Sequence, residues 1–204
     1  IAMNAVTSAG LLAASKNPMA QRESRHSYSI SLEQGEITNQ KQSGRCWMFA
    51  ALNTFRFEVM KNLNLKTFEL SQNYTLFYDK LEKSNYFLES ILETLDEPTQ
   101  GRLISFLLSA PLGDGGQWDM LCNLVRKYGV VPKEAMPETV SSSATREMTS
   151  ALTRKLREDA CRLRKAYADG STLDELRQKK DDWSKENQAN HPVITDEDIA
   201  IARC

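Results

Sequence analysis

A glutamine stands six residues before a cysteine in the run Asn39-Gln40-Lys41-Gln42-Ser43-Gly44-Arg45-Cys46-Trp47-Met48-Phe49, and the cysteine opens an apolar stretch. These residue types at this spacing suit acyl chemistry. A thiol attacks a carbonyl only as its thiolate, and a helix N-terminus favours that anion through unpaired N–H groups and the positive end of its dipole. Cys46 is expected at such a helix start. The tetrahedral intermediate needs preorganised donors, which the Cys46 backbone N–H and the Gln40 side-chain amide supply if the Lys41–Arg45 turn folds back. Lys41 and Arg45 are expected to add positive charge on an exposed turn. A free cysteine alone is more often a small buried hydrophobe, so the chemical reading rests on these neighbours.

The motif Asn39-Gln40-Lys41-Gln42-Ser43-Gly44-Arg45-Cys46-Trp47 resembles the papain-like cysteine peptidases, and among them the aminopeptidase C and bleomycin hydrolase branch. General papain-type enzymes tend to carry a second cysteine and a small residue just before the nucleophile, where this chain has Ser43-Gly44-Arg45. The resemblance implies an α+β papain-like cysteine proteinase fold, of which the part present is mostly α, the helical nucleophile lobe. It implies a cysteine aminopeptidase in which Cys46 is the nucleophile and Gln40 the oxyanion donor. Trp47, Gly115 and Gly116 would line the substrate cleft. It further implies peptide substrates, a cytoplasmic setting, homohexameric assembly and no metal or organic cofactor. Two other readings stay open: a catalytically idle helical scaffold or interaction module, and another papain-like cysteine acyl-transfer enzyme such as a transglutaminase.

Helical periodicity must position these residues. From Cys46, the residues Met48, Leu52, Phe55, Val59 and Leu63 recur at three- and four-residue spacing and predict a central helix with the thiol at its tip. Ser71 reads as the N-cap of a second helix with the stripe Tyr74, Phe77, Tyr78 and Leu81. A third, through Phe87, Leu88, Ile91, Leu92 and Leu95, should stop at Glu97-Pro98, and a fourth spans Leu103 to Leu108. Gly113-Asp114-Gly115-Gly116 then breaks the pattern before a helix through Trp118, Leu121, Cys122, Val125 and Tyr128, closed by Gly129 as a left-handed cap. Gly115 and Gly116 suit close approach of another backbone because no Cβ intervenes. Ser141 to Thr145 read as a hinge or cap cluster before a helix carrying Met148, Leu152, Leu156, Leu163 and Tyr167. Asp169-Gly170 ends that helix, and Thr172-Leu173-Asp174-Glu175 is a capping box for the next. The N-terminal Ile1–Ala20 run lacks a basic start and reads as a short helix packed on the domain rather than a signal peptide.

The organisation that follows is an N-terminal helix and arm over 1–36, a nucleophile lobe over 37–140, a helical insertion or hairpin over 141–183, and a polar tail over 184–204. With a net charge of -1 and 41% hydrophobic residues, the composition is that of an ordinary soluble protein. Arg154, Lys155, Arg157, Arg162, Arg164 and Lys165 are offset by Glu147, Glu158 and Asp159, so a solvated face is expected and nucleic acid and membrane are not. Cys46, Cys122, Cys161 and Cys204 show no Cys-x-x-Cys spacing, which points away from zinc and disulfides and towards a reducing compartment.

A papain-like enzyme also needs a histidine to move the thiol proton and an asparagine to orient it. His26 precedes the nucleophile, and His191 lies 145 residues after it, inside the ≈ 130–150 window of papain and cathepsins. Pro192 and the acidic run Asp196-Glu197-Asp198 follow His191 in place of an apolar strand, so neither histidine is assigned. The resemblance covers about 4–183, which corresponds to the N-terminal half of a longer chain. The other half would supply the histidine, the asparagine and a C-terminal arm that limits cleavage to N-terminal residues. This segment alone is expected to be inactive.

Overall fold

The computed structural model describes residues 1–23, 27–30, 32 and 35–189. The chain divides into two compact units, Ile1–Glu33 and Gln34–Cys204. In the first, the expected single helix is three: α1 (Ala2–Ala9), α2 (Leu11–Ser15) and α3 (Pro18–Glu23). Gly10, at φ 80°, turns the chain between α1 and α2, a backbone state that glycine reaches without a Cβ penalty. Neither α1 nor α2 contains a buried residue.

The second unit contains α4 (Cys46–Asn62), α5 (Gln72–Glu93), α6 (Arg102–Ser109), α7 (Trp118–Tyr128), α8 (Val140–Ser143), α9 (Thr145–Ala168) and α10 (Leu173–Ala189). Among the described residues there is no strand, only two isolated β-bridges, Gln42 with Ala144 and Leu70 with Pro132. No described helix is long and apolar enough to cross a membrane.

The second and third expected helices are one, because nothing between Leu81 and Phe87 interrupts the backbone ladder of α5. Its start is as read from sequence: Ser71 Oγ accepts the Tyr74 N–H at 3.0 Å. It is α5, rather than α4, that lies at the centre, packing against α4, α6, α7, α9 and α10. Phe87, Leu88, Ile91 and Leu92 of α5 share one core with Leu156, Ala160 and Leu163 of α9 and Leu176 of α10. A second core joins Met48 and Ala51 of α4, Leu76 of α5 and Leu121 of α7. Helix α9 therefore builds the same interior as the nucleophile helix's neighbour.

Along α4 the buried stripe runs Met48, Phe49, Ala51, Leu52, Arg56 and Met60. It departs from the expected line at its C-terminal half, where Leu63 is exposed and Phe55 and Val59 are half-buried. On α5 the buried face continues through Asp79 and Lys80, while Phe77, Tyr78 and Leu81 are half-buried. The capping box at α10 is present, with Thr172 N–H donating to Glu175 Oε2 at 2.9 Å and Glu175 N–H to Thr172 Oγ1 at 3.3 Å. Gly129 has the positive φ expected of a cap, 75°, but its ψ of -162° is extended rather than helical, so the chain leaves α7 directly. Within the expected hinge or cap cluster, Ser142 forms a capping box with Thr139 at the short helix α8.

Candidate active site

Cys46 is the first residue of α4 and is exposed. The first hydrogen bond at this end runs from Phe49 N–H to Arg45 O at 3.0 Å. The Cys46 N–H, by helix geometry, precedes any intrahelical partner, and no partner for it occurs among the described residues. The preceding turn does fold back. Ser43 Oγ donates to Gln40 O and Gln40 Nε2 to Ser43 O, both at 2.7 Å. One amide hydrogen of Gln40 is used in this way, and the other has no partner among the described residues. Lys41 is held at φ 51°, with its N–H donating to Asn39 Oδ1 at 2.8 Å. The turn is tied to the end of α8 and the start of α9 through Gln42, whose N–H donates to Ser143 O at 3.0 Å and whose O accepts from Thr145 N at 3.3 Å.

Arg45 is not an exposed cation beside the thiol. It is 1% exposed, with Nη1 and Nη2 donating to the two oxygens of Glu138 at 2.8 and 2.9 Å, Nε donating to Ser43 Oγ at 2.9 Å, and the guanidinium 5.0 Å from the Phe49 ring centroid. A guanidinium presents a planar fork that a carboxylate fills on both prongs, so its charge is spent inside the protein. Burial acts to raise the Glu138 pKa, but the Arg45 and Ser142 hydrogen bonds and the Arg45 charge outweigh it and hold this carboxyl below its ordinary range. Lys41 does remain exposed.

Asp114 joins the nucleophile turn to the glycine loop. Its Oδ2 accepts the Gly44 N–H at 3.0 Å and the Thr145 hydroxyl; its Oδ1 accepts from Lys80 Nζ at 2.6 Å and Thr149 at 3.4 Å; its backbone O accepts from Trp47 Nε1 at 2.8 Å. Burial pushes its pKa up, yet the hydrogen bonds from Lys80, Thr145 and Gly44 and the Lys80 charge prevail, leaving the carboxyl well below the usual range. Burial also pulls the Lys80 ammonium down from its ordinary value. Both glycines beside this hub are sterically required. A Cβ on Gly44 would lie 2.7 Å from Asp114 Cβ, and one on Gly116 would lie 2.5 Å from the Trp47 ring. A Cβ on Gly115 would meet nothing within 4 Å.

Of the residues singled out by sequence, Trp47 and Gly116 are brought into contact, Cys46 precedes Trp47 at the start of α4, and Gln40 closes the adjoining turn. A shallow surface depression lies between the turn and α9, lined by Gln42, Ser43, Gly44, Asp114, Thr145 and Thr149 among others, and Cys46, Trp47 and Gly116 are not part of its lining. His26 and His191 lie outside the described residues. Sequence reading missed Asp114, Lys80, Lys83 and Glu138. The available signal was polar: an aspartate inside a glycine loop, and charges at 79, 80 and 83 on the face of α5 that continues into its apolar core.

A model of the peptidase C1-like family matches residues 1–188. The chain belongs to this family. It is 53% identical over 160 residues to aminopeptidase C of Listeria monocytogenes, covering 78% of this chain and 36% of that protein. It is 49% identical over 151 residues to bleomycin hydrolase of Gallus gallus, covering 73% of this chain and 33% of that protein. The crystal structure of PepW from Lactobacillus rhamnosis HN001 superposes with a TM-score of 0.81 at 48% identity, covering 91% of this chain and 42% of that one. The chain therefore spans about a third of the length of these two curated relatives. The fold of this family member is the helical part of the papain-like α+β architecture, with the matched span running through α10 to residue 188.

Proposed function

We propose that this chain carries the nucleophile of a cysteine aminopeptidase that removes N-terminal residues from peptides. The observation that supports it most is Cys46, exposed at the start of α4 with its backbone N–H unpaired among the described residues. The Cys46 thiolate adds to the scissile carbonyl carbon, and the oxyanion takes hydrogen bonds from the Cys46 N–H and the second Gln40 amide hydrogen. The C–N bond then breaks, the leaving amine takes the proton shed by the thiol, and water hydrolyses the thioester. Gly116 docks the substrate backbone: its N–H and C=O have no partner among the described residues, and Trp47 supports it from beneath. Gly115 lies beside it, with its carbonyl accepting from Lys83 Nζ at 2.7 Å.

The imidazole and amide that complete such a site are assigned to residues other than those described. A cytoplasmic homohexamer belongs to the same reading and rests on the family resemblance. The test is hydrolysis by the product of the natural gene. It should release free amino acids from unblocked peptides, spare N-acetylated ones, and lose all turnover on Cys46→Ala. Release of ammonia from a glutamine donor, or turnover surviving Cys46→Ala, would overturn the proposal.

A further inference from the structure

Lys83 on α5 is bound more fully than a lysine near a surface ordinarily is. Its ammonium has three hydrogens and three acceptors: Asp79 Oδ2 at 2.8 Å, Gly115 O at 2.7 Å and Gly113 O at 3.1 Å. It also sits 5.5 Å from the Trp47 ring centroid, within cation–π range. Asp79, which anchors it, is 1% exposed. The neighbouring Lys80 donates to the same loop at Gly113 O, 2.7 Å away.

The Gly115 carbonyl and the Gly116 N–H belong to one amide. That amide is planar and trans, so a carbonyl aimed at Lys83 sends the Gly116 N–H out on the opposite side. A cation on the oxygen also draws electron density through the amide and makes the N–H a stronger donor. Glycines cannot hold such an orientation by themselves, since they are the residues with the greatest backbone freedom.

We propose that Lys83 is a positioning residue for peptide substrate, one that turns and polarises the Gly115–Gly116 amide so that the Gly116 N–H is presented to an incoming backbone. Asp79 is the counter-charge that keeps the ammonium in place. This rests on the reading of Gly116 as a docking residue. It predicts an effect on binding with little on the thiol, because Lys83 reaches Cys46 through no hydrogen bond of its own.

The test compares Lys83→Met, which keeps the stem and loses the ammonium, with Lys83→Arg, which keeps the charge. In the natural gene product, Lys83→Met should raise KM for an unblocked peptide about tenfold, the loss expected for one charge-assisted hydrogen bond, with kcat within about twofold. Alkylation of Cys46 by iodoacetamide, which needs no docking edge, should be unchanged, and Lys83→Arg should recover most of the KM. An unchanged KM, or kcat and alkylation falling together with it, would overturn the proposal. A second readout stands if the wild type cleaves no peptide, the result that would sink the aminopeptidase reading instead. In a Trp118→Phe, Trp183→Phe background Trp47 is the sole tryptophan. Lys83→Met should shift its emission maximum there, and an unmoved spectrum would refute the placement of Lys83 over the loop.

Discussion

Glu138→Ala should cost this protein about 3 kcal/mol, and the figure follows from how completely Arg45 is enclosed. Removing one partner of a buried ion pair costs about 3–5 kcal/mol, because the remaining charge is left without compensation. The low end applies here for two reasons. The Glu138 side chain retains 20% of its exposure, and Arg45 keeps Ser43 Oγ at 2.9 Å and the face of Phe49. For a domain of this size, 1 kcal/mol moves the midpoint by about 2–4 °C, so Tm should fall by about 6–12 °C. Urea titration gives the same quantity as a shift in midpoint at constant slope. The pairing itself is isolated by a double-mutant cycle with Arg45→Met and Glu138→Leu. The double variant should be more stable than Glu138→Ala, since an apolar pair of similar volume leaves no orphaned charge. A loss below about 1 kcal/mol in Glu138→Ala, or a double variant no better than that single, would refute the assignment of Arg45 as an internal tie.

Gly116→Ala should displace the Trp47 indole and destabilise by about 1–3 kcal/mol, the usual cost of overpacking, whereas Gly115→Ala, with open space around its Cβ, should stay within about 0.5 kcal/mol. Thermal unfolding of the two variants side by side checks this, and equal losses would contradict the packing described. Asp114 has a folded-state pKa depressed below its unfolded value. Its contribution is therefore present above about pH 4 and lost as pH falls through the folded value. Asp79, raised by burial, works in the opposite direction. Asp114→Asn should accordingly be less stable than wild type at pH 7, with the gap narrowing below about pH 4; a gap constant with pH would argue against the depressed pKa. Arg164 Nη1 donates to Thr94 O at 2.8 Å and Nη2 to Glu97 O, which satisfies the carbonyl of the α5 C-cap and one in the turn that follows. Arg164→Ala should lose about 1–2 kcal/mol in urea titration while exposed Arg154→Ala stays within about 0.5 kcal/mol.

Much of the architecture was legible without coordinates. The start of α4 at Cys46, the Ser71 cap, the Thr172–Glu175 box and the turn at Gly170 are all dictated by neighbours within four residues. At Ser71 and at Thr172–Glu175 the signal is carried by hydrogen bonds between a side chain and nearby backbone. Boundaries inside α5 were not legible, because the dip in apolar residues between Leu81 and Phe87 imitates a break. Those positions are polar because part of that face carries charges used elsewhere in the fold.

The sequence by itself determined that Cys46 opens a helix, that a turn with Gln40 precedes it, and that a glycine loop lies about seventy residues further on. Only the tertiary structure decided what the charges around them do. Arg45 reads as a free cation until Glu138, from a segment 93 residues away, closes on it. The basic stretch of α9 reads as a solvated face, yet Arg157 donates to Leu108 O at 2.8 Å and Ser109 O at 3.0 Å, and Arg164 to the end of α5. Asp114, Lys80 and Lys83 acquire a shared role only where α5, α9 and the nucleophile turn converge on them. An ion pair or a side-chain hydrogen bond between distant segments leaves no periodicity in sequence, since its two ends are brought together only by the packing of the helices that carry them.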